Sequence, residues 1–265
     1  MDVFELFSLK GKVAVITGGE RMYGKSSSAA LVEAGAKLYM ACPFLDAAEE
    51  AARELRGMGG EVEAVQYFQD DADSVRGLIT KVMEKEGRID VFVNSARVLP
   101  KGGIGWLQDE EGLDWAVRVN SAGMLYATTL AGKEMIRQRS GSIISFASMM
   151  GLVGIEKHNY DGEPGMAEGA YSHDYALNKS GIIAWTRHAA SYYGRYGVRV
   201  NCVCPGGLAS DRTPPLFTEN YSRHTQLGRL AENDDIKGAI LFLASDASAY
   251  VTGLSIPVDG GYTCI

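Results

Sequence analysis

The sequence predicts an α/β protein built on a doubly wound parallel sheet of about seven strands, with helices on both faces. Three observations predict it. Short apolar runs rich in β-branched residues alternate with longer stretches of helical spacing from one end to the other. Most connections between them are short, which fits repeated right-handed crossovers within one sheet. The first apolar run ends at a glycine-bearing turn that leads straight into a helical stretch, where backbone N–H groups can hold a phosphate. This is the Rossmann-like arrangement. With no internal repeat, low-complexity tract or linker, residues 1–265 read as one domain.

Taken in order, residues 12–17 (Lys-Val-Ala-Val-Ile-Thr) read as a buried parallel strand. Helical spacing follows over 24–33, and 35–41 is the second strand. Residues 46–58 carry alanine, leucine and charges four apart, and read as the second helix. Alternation marks 61–68 as a strand, followed by a helix over 73–86 and a strand over 89–94. One helix is expected over 113–137, a strand over 141–147, a long helix over 170–193 and a strand over 198–204. A helix over 234–244 and a strand over 254–258 complete the series. Two connections exceed what packing needs. Residues 152–170 are rich in glycine and acids, and 206–231 hold Pro214 and Pro215. Both leave C-terminal ends of strands, where ligands bind in such sheets, so the first reads as a lid and the second as a substrate loop.

The 265 residues are 46% hydrophobic and 22% charged, enough apolar material for a large core. A net charge of −7 and a pI near 5.2 argue against nucleic acid or an anionic membrane as partner. Residues 1–10 lack the basic start and apolar run of a signal peptide, and no apolar stretch is long enough to span a bilayer, so a cytoplasmic protein is expected. The four cysteines, Cys42, Cys202, Cys204 and Cys264, lack metal or redox spacing. Cys202 and Cys204 alternate within a strand, point to one face and read as small core hydrophobes. The four histidines show no ligand pattern, and no metal is assigned.

The chemistry centres on Tyr175-Ala-Leu-Asn-Lys179 in the long helix. Residues four apart share a helix face at about 5–6 Å, so the Lys179 ammonium can approach the Tyr175 phenol. A neighbouring cation favours the phenolate and lowers its pKa from about 10 toward neutrality. Such a phenol can trade a proton with a carbonyl or alcohol oxygen near pH 7. After the first strand, Thr17-Gly18-Gly19-Glu20-Arg21-Met22-Tyr23-Gly24 has the context of a pyrophosphate-binding turn, with Gly18 and Gly24 at fitting positions. Met22 stands where a middle glycine is expected and brings a side chain to a place of close backbone approach.

These segments and their order resemble the short-chain dehydrogenase/reductase family, from Leu9 to Gly261. Thr17 to Gly24 resembles its Thr-Gly-x-x-x-Gly-x-Gly loop, and Asn94-Ser95-Ala96-Arg97 its Asn-Asn-Ala-Gly strand end. Asn120, Ser148, and the Tyr175 and Lys179 pair fall at its catalytic positions. Pro205-Gly206 with Ser210 resembles its Pro-Gly-x-x-x-Thr, and Val258-Asp-Gly-Gly261 its C-terminal signature. The resemblance implies an NAD(P)(H)-dependent oxidoreductase that interconverts a ketone and a secondary alcohol. Tyr175 would be the acid or base, and Ser148 would donate a hydrogen bond to the reacting oxygen. Lys179 would tune Tyr175 and hold the nicotinamide ribose, and Asn120 would kink its helix and hold a water in a proton relay. Leu208 and Ser210 would orient the carboxamide. The other implied cofactor contacts are Gly18, Arg21, Met22, Tyr23, Gly24, Cys42, Asn94, Ser95, Ala96, Pro205 and Gly206.

Departures from the family pattern carry further expectations. Tyr23 replaces an isoleucine, Ser95 an asparagine and Arg97 a glycine; Phe68 stands where an acid would meet adenine and can stack instead. Arg97 either steers an acidic substrate or lies in solvent. Cys42 and Pro43 hold the place of the acid that would favour NAD, and Arg21 can reach a 2′-phosphate, so NADP(H) is expected over NAD(H). The insert at 152–170, with His158, Tyr160, Asp161, Glu163 and Glu168, resembles that of relatives acting on sugar acids and polyols, and suggests such a substrate or a cyclic ketone. Family members pair through long helices, so a homodimer or homotetramer is expected, through the 185–193 face and residues 262–265. The alternatives are a binding or regulatory protein with weak nucleotide affinity, and a non-redox lyase or isomerase.

Overall fold

The computed structural model describes residues 2–99, 109–163 and 173–265. Seven parallel strands are β1 Val13–Thr17, β2 Lys37–Cys42, β3 Val62–Gln66, β4 Val91–Asn94, β5 Gly141–Phe146, β6 Val198–Pro205 and β7 Ser255–Val258. They lie in the order β3-β2-β1-β4-β5-β6-β7. The order reverses between β1 and β4, where Thr17 pairs with Asn94 at the C-terminal edge. That switch point is where such sheets leave a crevice for a ligand.

Side chains alternate across each strand and feed two core layers. Ala14, Ile16, Leu38, Met40, Val93, Ile144 and Val203 pack on one face against α2 (Met22–Glu33), α3 (Leu45–Gly57) and α9 (Lys237–Ala244). Val15, Tyr39, Phe92, Ile143 and Val200 pack on the other against α4 (Ala72–Glu86), α6 (Met124–Gln138) and α7 (His173–Tyr193). Helix α7 has its described start at His173; residues 170–172 of the expected helix lie outside the described residues.

Three features differ from the sequence expectations. A short helix α1, Val3–Phe7, precedes β1, with Asp2 and Glu5 forming a capping box that satisfies its first N–H groups. The single helix expected over 113–137 is α5 (Glu110–Val117) and α6 joined by a π-helical turn, Arg118–Gly123. The connection 206–231 contains helix α8, Pro215–Ser222, in which Pro215 takes a first-turn place that needs no N–H donor. Of the 152–170 insert, residues 164–170, with Glu168, lie outside the described residues. Its described part includes a 3₁₀ turn, Lys157–Tyr160, that packs on α8: Tyr160 meets Phe217 at 5.2 Å between ring centroids, and Asn220 Nδ2 donates to the Asp161 carbonyl. Thus the two long connections meet each other beyond the sheet. Among the described residues no helix is long and apolar enough to cross a membrane.

Candidate active site

The turn after β1 is shaped by contacts that exclude side chains. Gly18 has φ +70°, and a Cβ there would lie 2.7 Å from the Ala96 Cα; at Gly24 it would lie 2.0 Å from the Gly18 carbonyl oxygen. Met22 adopts φ +50°, the left-handed backbone its missing glycine would favour, while its side chain is exposed. Helix α2 then begins with no side-chain cap from Arg21 and no acid in its first turn. Its leading N–H groups therefore suit an anion, and the residues fit a dinucleotide pyrophosphate. Tyr23 fastens this turn to the far side of the crevice: its hydroxyl donates to the Gly206 carbonyl at 3.1 Å and its ring stacks on Phe146. Burial drives its phenol well above the ordinary range.

At the end of β2, Cys42 is fully buried and its thiol donates to the Phe44 carbonyl at 3.1 Å. Burial and the nearby Glu20 carboxylate push it up to about 11. Its thiol is therefore turned onto its own chain at the place where an acid would favour NAD. Arg21 is 65% exposed and lies 3.4 Å from Glu20, whose carboxylate is only 6% exposed. Phe68, 42% exposed, stands after β3 with its N–H on Ser74 Oγ. The Asn94 side chain is enclosed, donating to Thr128 Oγ1 and Ser145 Oγ, so it braces β4. The Ser95 and Ala96 N–H groups bond to the Thr17 carbonyl and hydroxyl.

Across the crevice, Lys179 is buried, and its ammonium donates to the Phe146 carbonyl at 2.6 Å, 5.7 Å from the Tyr175 ring centroid. Burial, reinforced by the Arg97 cation, lowers the Lys179 pKa to about 7. The Arg97 guanidinium stands 5.0 Å over the Tyr175 ring. Ser148 caps a 3₁₀ turn, Met149–Gly151, by accepting from the Met150 N–H at 3.2 Å, which leaves its own O–H to donate elsewhere. That turn is docked on α7 beside Lys179, with Ser180 Oγ donating to the Gly151 carbonyl. Asn120 lies within the π-turn. Its Oδ1 accepts from the Val98 N–H, and its Nδ2 donates to the Val98 carbonyl and to Asp174 Oδ2. The kink expected at Asn120 is thus a widened helical turn, and its carbonyl accepts from Asn178 Nδ2 at 2.8 Å.

After β6, the Gly206 N–H bonds to the Val258 carbonyl, Leu208 bridges to Ala231, and Ser210 Oγ shares a hydrogen bond with Thr213. The sequence reading had no role for Asn178, Gln69 or Asp174, which hold the π-turn and its Asn120 from two sides. Asn178 lies inside the Tyr175 to Lys179 motif, three residues beyond Tyr175, a spacing that puts it on a shared face. Gln69 offered no local signal. Glu20 likewise carries no local signal, because its burial beside Cys42 is tertiary information.

A family model described as enoyl-(acyl carrier protein) reductase matches residues 23–263. The chain belongs to the short-chain dehydrogenase/reductase family. It is 34% identical over 258 residues to a 3-oxoacyl-acyl-carrier-protein reductase of Synechocystis, covering 96% of this chain and 98% of that one. It is 32% identical over 256 residues to one of Thermotoga maritima, covering the same shares. Among solved structures, a short-chain type dehydrogenase/reductase from Mycobacterium marinum superposes with TM-score 0.87 at 30% identity, over 100% of both chains. A gluconate 5-dehydrogenase from Burkholderia cenocepacia, in complex with NADP and tartrate, gives TM-score 0.87 at 26% identity, also over 100% of both. This family member is an NAD(P)-dependent dehydrogenase/reductase.

Proposed function

We propose that this short-chain dehydrogenase/reductase interconverts a polyhydroxylated ketone or keto acid and its secondary alcohol, with Tyr175 as acid and base. The observation that carries the reading is the pairing of Tyr175 with a buried Lys179 on α7, across the crevice from the uncapped start of α2. The bound nicotinamide supplies or accepts the hydride. In reduction, the Tyr175 phenol gives its proton to the substrate oxygen as negative charge develops there. The free O–H of Ser148 stabilises that charge, and Lys179 holds a positive field behind the phenolate that remains. Asn120, held by Val98 and Asp174, keeps the floor of the site in place and is the expected hold for a water that resupplies the proton.

The turn after β1, from Gly18 to Gly24, and the strand-end residues Ser95 and Ala96 would hold the pyrophosphate and ribose, with Pro205, Gly206, Leu208 and Ser210 at the nicotinamide end. NADP(H) is favoured: Arg21 is exposed in the turn after β1, where it would reach a 2′-phosphate, while the Glu20 carboxylate is buried. The Burkholderia neighbour carries NADP, which supports the same choice. Residues 152–170 and 206–231 would form the wall over the substrate. The relatives named as 3-oxoacyl reductases supply a second substrate reading, a 3-oxoacyl thioester. A cytoplasmic homodimer or homotetramer is the expected working form. The test is a screen of ketoses, sugar acids, cyclic ketones and a 3-oxoacyl thioester with NADPH and NADH, followed at the nicotinamide absorbance. Turnover confined to polar ketones and faster with NADPH is expected; turnover of the thioester alone, or of nothing with either dinucleotide, overturns the reading.

A further inference from the structure

We infer that Arg97 is a substrate-recognition residue that binds a carboxylate, so that the ketone or alcohol this enzyme accepts is an acid charged close to its reacting carbon. The inference rests on the reading of Tyr175 as the group that meets the reacting oxygen. Its starting point is position: the guanidinium stands 5.0 Å over the ring of that tyrosine, at the mouth of the site, on an exposed side chain.

The backbone that carries Arg97 is built rather than loose. The preceding Ala96 N–H bonds to Thr17 Oγ1, and the following Val98 is gripped through both N–H and carbonyl by the Asn120 side chain. A residue between two such anchors presents its side chain from a fixed base.

The charge pattern then asks for an anion. Arg97 and Lys179 place two cations around one tyrosine ring, and the Arg97 charge disfavours the one on Lys179. None of the ion pairs formed among the described residues engages Arg97, and the buried Asp174 carboxylate beside Tyr175 is held by Asn120 Nδ2 and acts on Lys179. Lys179 is enclosed and committed to the Phe146 carbonyl, whereas Arg97 is exposed, so of these two cations Arg97 is the one a substrate can reach. A planar guanidinium fork matches a carboxylate in two parallel hydrogen bonds, which a lysine at the same place would not provide. The glycine of the family pattern would have no side chain to do this.

The test uses tartrate and threitol, which share a four-carbon diol skeleton and differ in their carboxylates, titrated calorimetrically into the NADPH-loaded protein. Wild type should bind tartrate about tenfold or more tightly than threitol, by the strength of a hydrogen bond to a charged group. Arg97→Gln should lose that margin and leave threitol unchanged, and Arg97→Lys should fall between. Equal binding of the two ligands by wild type, or an unchanged ratio in Arg97→Gln, overturns the inference. If Arg97→Gln instead weakens NADPH while the ratio stands, the guanidinium serves the dinucleotide phosphates and the inference is again overturned. Failure of the underlying reading looks different: NADPH would not bind at all, or Tyr175→Phe would turn over normally. Thermal melts of each variant confirm that the comparison is between folded proteins.

Discussion

Met22 shows how one residue can keep a backbone shape that its chemistry resists. A left-handed backbone costs a non-glycine residue about 1–2 kcal/mol, and Met22 holds φ +50° at the turn before α2. Met22→Gly should therefore raise the melting temperature by roughly 2–4 °C, the shift that ~1 kcal/mol gives a chain of this size. It should also leave NADPH binding as tight or tighter; a lowered melting temperature would mean that the methionine side chain contributes packing after all. Lys179 carries the second residue-scale prediction. Burial, with the Arg97 cation beside it, lowers its pKa from 10.5 to about 7. The negative charge that a dinucleotide brings to the crevice favours the ammonium, so binding NADPH at pH 8 should take up protons, and more of them than at pH 7. Calorimetry in buffers of different ionisation enthalpy reads this uptake, which should vanish in Lys179→Met; uptake that persists there assigns the proton to another group. The linkage has a stability side. Between about 7 and 10.5 the unfolded chain binds the proton that folded Lys179 has lost, so this group makes the protein more stable as pH rises through that window. The spacing of Tyr175 and Lys179 was legible in the sequence because four residues define a helix face. The protonation of Lys179 was not, because burial under β5 and β6 is set by residues far away in the chain.

At the scale of elements, the π-turn between α5 and α6 is the feature that the sequence hid. Its widened turn is held from two sides. Gln69 Nε2 donates to the Val119 carbonyl at 2.8 Å, and Asn178 Nδ2 donates to the Asn120 carbonyl and to Ser121 Oγ. Gly123 is needed there as well, since a Cβ would come within 2.1 Å of the Gln69 carbonyl oxygen. Hydrophobic spacing over 113–137 is continuous enough to read as one helix, and a single extra residue in a turn barely disturbs it. Removing a hold should therefore act through Asn120. Asn178→Ala is expected to cost about 1–3 kcal/mol of stability by leaving buried acceptors unpaired, and to lower kcat more than it raises KM. A variant as stable and as active as the parent would show that the turn holds itself. The capping box of α1 and the proline start of α8 were, by contrast, written locally in Asp2, Glu5, Pro214 and Pro215.

At the scale of the whole molecule, the order of strands explains why distant residues meet. Thr17, Asn94, Phe146 and Pro205 end β1, β4, β5 and β6, which are neighbours in the sheet, so the turns beyond them share one edge. Alternating strands and helices made this layout readable, and all seven strands overlap the stretches that the sequence marks as strands. What the runs could not carry is the meeting of the two long connections, where Tyr160, Phe217, Tyr221 and Tyr262 form one aromatic cluster beyond the sheet edge. That cluster depends on contacts between residues 57 apart in the chain, Tyr160 and Phe217, and 41 apart, Tyr221 and Tyr262, and these have no local pattern. The central claim concerns one proton, moved by the Tyr175 phenol while the dinucleotide is bound. The most direct test is single-turnover oxidation of bound NADPH by the best ketone of the screen, in wild type and Tyr175→Phe. The account predicts a fall in rate of about a hundredfold or more with NADPH affinity unchanged; an equal rate in the two proteins would contradict it.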